Sequence, residues 1–257
     1  MDNRLNYSSH AALDISGRHL KAAKIHQLLP LAASPNVPLR LLEVGTGSGA
    51  IAQYFSILTS QRFIVSAVDV NDQRMVSDGY DFQLYDGQHL PYKDETFDIV
   101  ISNHVIEHVG NYHQQSNHLA EICRVLAKNG YAYLATPSKW QIVEPHFNLP
   151  FLSWIPRGMR DSYVRLAGKG NHYDCNLLRP AELRRLLKAT GLPFKNMNTD
   201  ALKALISIEQ PRGITMYLLA LLPNILLEML RNSFPTSIFL IHKPVNSKAR
   251  SVVNNIR

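Results

Sequence analysis

Three glycines at alternate positions are the most informative feature of this 257-residue sequence. They lie in LEVGTGSGAI, between Leu42 and Ile51, where an apolar run gives way to a helical pattern. Gly45 permits a tight turn, Gly47 lets the backbone approach a ligand closely, and Gly49 avoids a side-chain clash. The helix that follows presents free backbone amides, which suit a carboxylate as well as a pyrophosphate. The spacing predicts an anion-binding loop at the end of a strand.

An acid follows at the distance expected for a ribose contact. Asp69 lies 22 residues after Gly47, at the end of the next predicted strand. A carboxylate there can accept the hydrogens of both ribose hydroxyls. Because Gly45, Gly47 and Ala50 also satisfy a dinucleotide-binding pattern, NAD and S-adenosylmethionine (SAM) both remain compatible with these residues. A helix cap or a turn is the structural alternative for Asp69.

A second acidic segment distinguishes between NAD and SAM as the ligand. The run from Asp86 to Val100 reads DGQHLPYKDETFDIV and follows the third predicted strand. Together with LEVGTGSG and Asp69, this run resembles the class I SAM-dependent methyltransferases, in particular the small-molecule branch related to quinone biosynthesis. The resemblance is strong over residues 39–137 and holds elsewhere only in outline. It implies that SAM is the cofactor.

The resemblance also implies roles for individual residues. Glu43 would organise the loop near the methionine amino group, Asp69 would hold the ribose, and Asp86 would accept a hydrogen bond from the adenine amine. The cofactor-binding residues implied in this way are Glu43, Gly45, Thr46, Gly47, Gly49, Asp69, Val70, Asp86, Gly87, Gln88, Asn103 and His104. The last two follow the fourth strand, where the family places the sulfonium. A simple turn acid is the structural alternative for Asp86.

Histidines are the candidates for the acceptor side of the site. Methyl transfer from a sulfonium is an in-line displacement, so a hydroxyl or carbon acceptor needs a base, and the pKa of histidine suits that role. The segment TPSKWQIVEPHF, after the fifth strand, occupies the place where this fold builds its acceptor pocket. We predict His146 as the base and His108 as a second catalytic residue, with Glu144 orienting a histidine. His172 and Tyr173 are competitors, and a structural role is the alternative for each.

No metal site is predicted. The two cysteines, Cys123 and Cys175, form no CxxC pair, and no Cys/His spacing suits zinc. One helix face could present His104 and His108, but no third ligand is evident and Glu107 is not arranged as in HExxH. Two unpaired cysteines fit a reducing cytoplasm.

Alternating strand and helix patterns, running to about residue 140, predict parallel βαβ units. The predicted strands are 39–44, 63–70, a short strand ending near 86, 97–102, 131–135, one near 192–197, and an edge strand at 237–242. The predicted helices are 50–58, 118–127 and 179–190. The resemblance implies an α/β fold with a Rossmann-like, seven-stranded, mostly parallel sheet of order 3-2-1-4-5-7-6. Helices would cover both faces, and a helical insertion would precede the last strand.

One domain is expected over residues 1–245, followed by a polar tail at 246–257. Its core would be 39–137, with acceptor-side insertions at 138–178 and 201–233. Residues 214–230 are the most apolar stretch, yet they are short for a spanning helix and contain Pro223, Asn224 and Glu228. A packed helical insertion, a surface that meets lipid or a hydrophobic substrate, and true membrane insertion are the three interpretations of this pattern.

Charge and motifs restrict the partners. The net charge is +7, and residues 157–188 carry eight bases against three acids, a surface that could attract an anionic substrate or a membrane. Scattered, solvated charge is the alternative. No nucleic-acid partner is expected, because dense basic runs and an Asn/Asp-Pro-Pro-Tyr/Phe motif at Asn103 are missing. The N-terminal residues lack the apolar stretch of a secretory signal, so we expect a cytoplasmic protein, with peripheral contact at the inner membrane surface as the alternative.

These features together predict an enzyme that transfers a methyl group from SAM to a small-molecule or amphiphilic acceptor of lipid-linked, isoprenoid or glycan type. A non-catalytic SAM-fold binding or scaffold protein and an NAD-dependent oxidoreductase are the alternatives.

Overall fold

The computed structural model of the chain describes residues 14–31, 37–60, 62–209, 221–231 and 233–246. The strands are β1 (Leu39–Val44), β2 (Phe63–Asp69), β3 (Asp81–Leu84), β4 (Phe97–Asn103), β5 (Leu126–Pro137), β6 (Val143–Glu144), β7 (Leu149–Pro150), β8 (Phe194–Asn196) and β9 (Thr236–His242). The helices are α1 (Ile15–Leu28), α2 (Ala50–Ser56), α3 (Tyr112–Val125), α4 (Arg157–Leu166), α5 (Pro180–Ala189), α6 (Asn198–Glu209) and α7 (Asn224–Leu230).

Seven of these strands form one sheet, in the order β3-β2-β1-β4-β5-β9-β8, while β6 and β7 pair in a separate ribbon. Strands β1 to β5 are parallel, and β9 runs antiparallel to both β5 and β8. Counted within the sheet alone, this is the order 3-2-1-4-5-7-6, so the predicted fold is confirmed. The prediction of an edge strand at 237–242 is wrong, because β9 lies inside the sheet and the short β8 forms the edge.

Two hydrophobic clusters hold helices on the two faces of the sheet. Leu42 of β1 packs in one cluster with residues of α3 and α5, whereas its neighbour Leu41 packs in the other with residues of α1 and α2. Successive side chains of a strand point to opposite faces, so an unbroken apolar run is buried on both sides. This is why the run 39–44 could be assigned from sequence.

Helix α3 begins at Tyr112 rather than at residue 118, because a capping box precedes it. The Asn111 side chain accepts the backbone N–H groups of His113 and Gln114, and the Gln114 side chain accepts the N–H of Asn111. The helix ends at Val125 and β5 starts directly after it. Asn129, just beyond the predicted end of the helix at residue 127, lies within β5 and has a left-handed φ of 63°.

The chain between β5 and α5 forms a layer of its own beside the sheet. The ribbon β6–β7, a 3-10 turn at Leu152–Trp154 and α4 pack around a third hydrophobic cluster that includes Leu152, Tyr173 and Cys175. Before β9, α6 and α7 lie in the region predicted as a helical insertion. In the described ranges, no helix is both long and apolar enough to cross a membrane.

Candidate active site

A cavity of about 340 Å³ opens where β1, β2, β3 and β4 end at their carboxyl sides. We call it the donor cavity. Its lining includes seven of the twelve predicted cofactor residues, namely Gly45, Gly47, Asp69, Val70, Gly87, Asn103 and His104. The crevice beyond the carboxyl ends of parallel strands is the usual ligand position in open α/β sheets. Five predicted residues, Glu43, Thr46, Gly49, Asp86 and Gln88, are absent from its lining.

The glycine loop is built from left-handed backbone. Gly45 and Gly49 have φ values of 74° and 82°, a region that side chains other than glycine rarely adopt. A Cβ atom at Gly45 would lie 2.4 Å from Val105 Cγ2, and one at Gly49 would lie 2.2 Å from the carbonyl oxygen of Val76. The backbone conformation of the loop therefore requires glycine at both positions, whether or not a ligand is bound.

Glu43 supports this loop from inside the protein. Its Oε2 accepts the Thr46 hydroxyl at 2.7 Å and the Ala52 N–H at 3.0 Å, so one carboxylate ties the loop to the start of α2. Burial raises the pKa of Glu43 to about 8, although the Thr46 bond and the charge of Arg18 oppose the shift. Its predicted role as the organiser of the loop fits this geometry.

Asp69 faces the donor cavity at the end of β2. Its Oδ2 accepts the Gly47 N–H at 2.8 Å, and its Oδ1 accepts the Val70 N–H at 2.7 Å. A carboxylate has about four acceptor sites, so these two bonds and a longer one from the Asn71 N–H at 3.4 Å still leave capacity for a hydroxyl donor. The residue is thus more than a turn acid, because it joins β2 to the glycine loop of β1.

Asp86 is held differently. Its Oδ1 accepts the N–H groups of Gln88 and His89, both at 2.8 Å, which is the geometry of a capped turn. Burial alone would raise the pKa of Asp86, but the backbone bonds together with the charge of His89 lower it below its usual value. The carboxylate therefore stays charged beside Gly87, which does line the donor cavity.

Asn103 and His104 stand at the junction of two cavities. Asn103 Nδ2 is buried and has no hydrogen-bond partner among the described residues, which leaves an amide donor for a ligand. His104 adopts a left-handed φ of 59°, a strained conformation for histidine. Its backbone N–H donates to the carbonyl oxygen of Ala135 at 2.8 Å. Burial lowers the pKa of His104, against the opposing effect of Glu107.

The second cavity, of about 370 Å³, adjoins the donor cavity through Lys21, Asn103 and His104. We call it the apolar cavity. Aliphatic and aromatic side chains dominate the rest of its wall, among them Leu28, Tyr133, Ala201, Leu202, Leu205, Phe234 and Ile238. Asn198 fixes one side of this cavity. Its side-chain NH2 group donates to the carbonyl oxygens of Arg231 and Thr236, and its Oδ1 accepts the N–H of Ile238.

The two histidines predicted to be catalytic lie together. His146 Nε2 is 3.2 Å from His108 Nε2, and both residues line the donor cavity. Glu144 Oε1 lies 2.6 Å from His146 Nδ1, which is the orienting contact that the sequence suggested. Burial lowers the pKa of His146, but the bond to Glu144 and the charges of Glu144, Glu107 and Asp174 raise it by more. The competitor His172 is exposed and pairs instead with Asp161 at 2.9 Å.

A cysteine that the sequence did not connect with the site joins this pair. Cys175 Sγ lies 3.5 Å from His146 Nδ1 and 3.8 Å from His108 Nδ1. Burial, together with the acids Glu144 and Asp174, raises the pKa of the Cys175 thiol. A third cavity, which contains Arg157 and Arg160 in its lining, reaches the cluster from the other side through His108 and Cys175.

Two cations of α1 were missed by the sequence analysis. Arg18 and Lys21 line the donor cavity opposite the glycine loop, and Lys21 also lines the apolar cavity. Burial lowers the pKa of Lys21 to about 8, helped by the charges of Arg18 and Lys24. Nothing in the sequence around α1 distinguishes them from ordinary surface cations of an amphipathic helix.

Comparison with known proteins agrees with this architecture. The profile of a family described as a methyltransferase domain matches residues 16–194. A ubiquinone biosynthesis O-methyltransferase from Chelativorans sp. (strain BNC1) is 26% identical over 179 residues, which are 65% of this chain and 64% of that protein. A phthiotriol/phenolphthiotriol dimycocerosates methyltransferase 1 from Mycobacterium ulcerans (strain Agy99) is 34% identical over 168 residues, 59% of this chain and 60% of that protein. The chain thus spans just under two thirds of the length of these relatives.

A solved structure shares the fold. The plantazolicin methyltransferase BpumL, in complex with a monoazolic desmethyl analogue and S-adenosylhomocysteine (SAH), superimposes with a TM-score of 0.55 at 17% identity, over 90% of this chain and 85% of that chain. The family match decides between the two cofactors that the glycine loop left open, in favour of SAM. The chain belongs to the methyltransferase domain family, with the Rossmann-like fold of the class I SAM-dependent enzymes.

Proposed function

We propose that this protein binds SAM in the donor cavity and transfers its methyl group to a small-molecule acceptor. The observation that carries the proposal is the convergence of the glycine loop, Asp69, Gly87 and Asn103 on one cavity at the carboxyl edge of the sheet. The family match supports the same chemistry.

In this proposal each end of SAM has a matching surface. The methionine part lies against Gly45 and Gly47, with Arg18 offering a cation to its carboxylate across the cavity. Asp69 accepts the ribose hydroxyls, and the turn of Asp86 and Gly87 receives the adenine. Asn103 Nδ2, buried without a protein partner among the described residues, donates to the bound ligand.

Transfer of the methyl group requires little covalent machinery. The acceptor's electron pair forms the new bond to the methyl carbon while the carbon–sulfur bond breaks toward sulfur, which releases SAH. Most of the acceleration comes from holding the nucleophile on the methyl axis in a dry pocket. Where the acceptor carries a proton, we propose His146 as its base, with Glu144 holding the ring and His108 beside it.

We further propose an amphiphilic acceptor of lipid-linked, isoprenoid or glycan type. The apolar cavity adjoins the donor cavity at Asn103 and His104, so an apolar group can lie there beside the methyl donor. Helix α7 supports the idea, because Ile225 and Met229 are each 73% exposed while Leu227 is 3% exposed. The names of the two relatives, which concern ubiquinone biosynthesis and phthiotriol dimycocerosates, are consistent with such an acceptor.

Two measurements test the donor and the chemistry. Calorimetry should show binding of SAM and SAH and no binding of NAD; a preference for NAD would refute the proposal. Mass spectrometry of a lipid and metabolite extract, incubated with protein and methyl-labelled SAM, should then show a product heavier by one labelled methyl group. SAM binding with no labelled product from any extract would favour the alternative of a non-catalytic binding protein.

The apolar face of α7 has its own test. The protein should float with vesicles of anionic and zwitterionic phospholipid at low salt, and a double change of Ile225→Asp and Met229→Asp should abolish flotation. Ile57→Asp, at a position 61% exposed directly after α2, is the matched control and should float like the parent. A parent protein that stays wholly unbound to the vesicles would refute the proposed membrane contact.

A further inference from the structure

The cluster formed by His108, His146 and Cys175 contains the right ligands for a divalent metal ion. One ligand atom from each residue can be chosen so that all lie within 4.8 Å of one another. They come from three separate segments, the turn after β4, the turn of the β6–β7 ribbon, and the stretch before α5. Imidazole and thiolate together are typical zinc ligands.

The distances are close to those of a zinc site. Zn–N bonds of about 2.0–2.1 Å and Zn–S bonds of about 2.3 Å put tetrahedral ligand atoms roughly 3.3–3.7 Å apart. The two histidine Nε2 atoms are 3.2 Å apart, Cys175 Sγ lies 3.5 and 3.8 Å from the Nδ1 atoms of His146 and His108, and one ligand atom of each residue lies within 4.8 Å of the others.

An unpartnered buried oxygen points to the same ligand. Glu107 is fully buried, and its Oε1 makes no regular hydrogen bond among the described residues, with His104 Nδ1 as a distant neighbour at 3.5 Å. This oxygen lies 4.0 Å from His146 Nε2, while its twin Oε2 is fixed by the Thr136 hydroxyl at 3.0 Å. A buried carboxylate oxygen without a donor is costly, and a cation would remove that cost.

The surroundings also hold His146 as a metal ligand is held. Glu144 Oε1 contacts its Nδ1 at 2.6 Å, so Nε2 is the ring nitrogen that is turned toward His108 Nε2. Glu144 is itself fixed, since its Oε2 accepts the N–H groups of His146 and Phe147 at 3.0 and 2.9 Å. Carboxylates that orient a ligating imidazole in this way are a recurring part of zinc sites.

We propose that His108, His146, Cys175 and Glu107 bind one zinc ion beside the donor cavity. The ion would tie the turn after β4 to the two segments that form the acceptor side. Because the ion and a proton compete for the same Nε2 lone pair, the role of His146 as a base, proposed above, belongs to the metal-free protein, and in the zinc-loaded protein His146 holds the ion instead. This last consequence rests on the proposed function, whereas the binding of zinc does not.

The test uses the full chain. Protein stripped with a chelator, incubated with zinc and desalted should retain one equivalent by elemental analysis. Cobalt in place of zinc should give a thiolate-to-cobalt charge-transfer band in the unmodified protein, a result that requires no variant. Cys175→Ser should lose that band, whereas Cys123→Ser, at the other buried cysteine, should keep it. Glu144→Gln should bind zinc about 10- to 100-fold more weakly.

Failure of this proposal is separable from failure of the proposed function. Substoichiometric zinc, a cobalt complex without the thiolate band, or equal binding by Cys175→Ser would overturn the metal site. Calorimetry of the metal-free protein with SAM tests the donor site independently. Zinc binding without SAM binding would refute the donor assignment and leave the metal site standing.

Discussion

Replacement of Asp69 by asparagine tests the donor site most sharply, because it changes charge and hydrogen bonding with almost no change in size. In the parent, Oδ2 accepts the Gly47 N–H at 2.8 Å and Oδ1 accepts the Val70 N–H at 2.7 Å. Asparagine keeps one acceptor oxygen and turns an NH2 group toward the other N–H. One backbone donor of the parent network therefore loses its acceptor.

The magnitude follows from these contacts. An N–H left without its acceptor costs about 1–3 kcal/mol of unfolding free energy, and a hydrogen bond to a charged group contributes about 1.5–3 kcal/mol. Loss of one hydrogen bond between the ribose and the Asp69 carboxylate should therefore lower the affinity for SAM roughly 10- to 100-fold, because each 1.4 kcal/mol is about tenfold in affinity.

Calorimetry with SAM and SAH measures this loss, and thermal unfolding shows whether the variant is folded. Asp72→Asn is the matched control, since Asp72 lies in the next turn and pairs with Arg74 at the surface. Its affinity should stay within about twofold of the parent, as expected for an exposed pair. A folded Asp69→Asn protein with parental affinity would refute the ribose assignment and reduce Asp69 to a structural link between β2 and the glycine loop.

Two further predictions concern stability. Gly49→Ala combines left-handed strain of about 1–2 kcal/mol with a collision against the Val76 carbonyl, whereas Gly168→Ala, at a φ of 65° in open space, has the strain alone. Urea unfolding should show the larger loss for Gly49→Ala, and equal losses would contradict the steric argument. Burial lowers the pKa of Lys21 to about 8, so a charged Lys21 side chain lowers the stability of the folded protein. Unfolded chains keep that proton up to about pH 10.5, so thermal stability relative to Lys21→Met should rise between pH 8 and 10.5, and a flat difference would argue against its burial.

Local patterns in the sequence were sufficient for the sheet and for most of the donor side. An apolar run buried on both faces identified β1, and a glycine loop followed by an acid at the end of β2 identified the cavity they share. The fold is confirmed, and the strand-end residues lie at one cavity because parallel strands bring their carboxyl ends to one edge of the sheet, while the roles of these residues stay predictions. The capping box at Asn111 is also recognisable in the sequence, since Asn-x-x-Gln is a local motif, and it would have placed the start of α3 correctly.

The position of β9 could not be obtained from the run 237–242 itself. An apolar antiparallel strand looks alike at an edge and one place inside it, and only the pairing with both β5 and β8 decides between them. The resemblance to a family supplied the correct order, because strand order is a property of the whole chain rather than of six residues.

The acceptor side is where the tertiary structure decided most. His108 and His146 are 38 residues apart in the chain, and Cys175 is a further 29 residues from His146, yet their side chains meet. No spacing rule joins ligands from three loops, so the sequence predicted no metal site there. Arg18 and Lys21 line the donor cavity for a similar reason, since the packing of α1 on the sheet, and no motif within the helix, determines which side of the helix faces the cavity. Strand ends converge by the rules of the fold, while loops and helices converge only through packing.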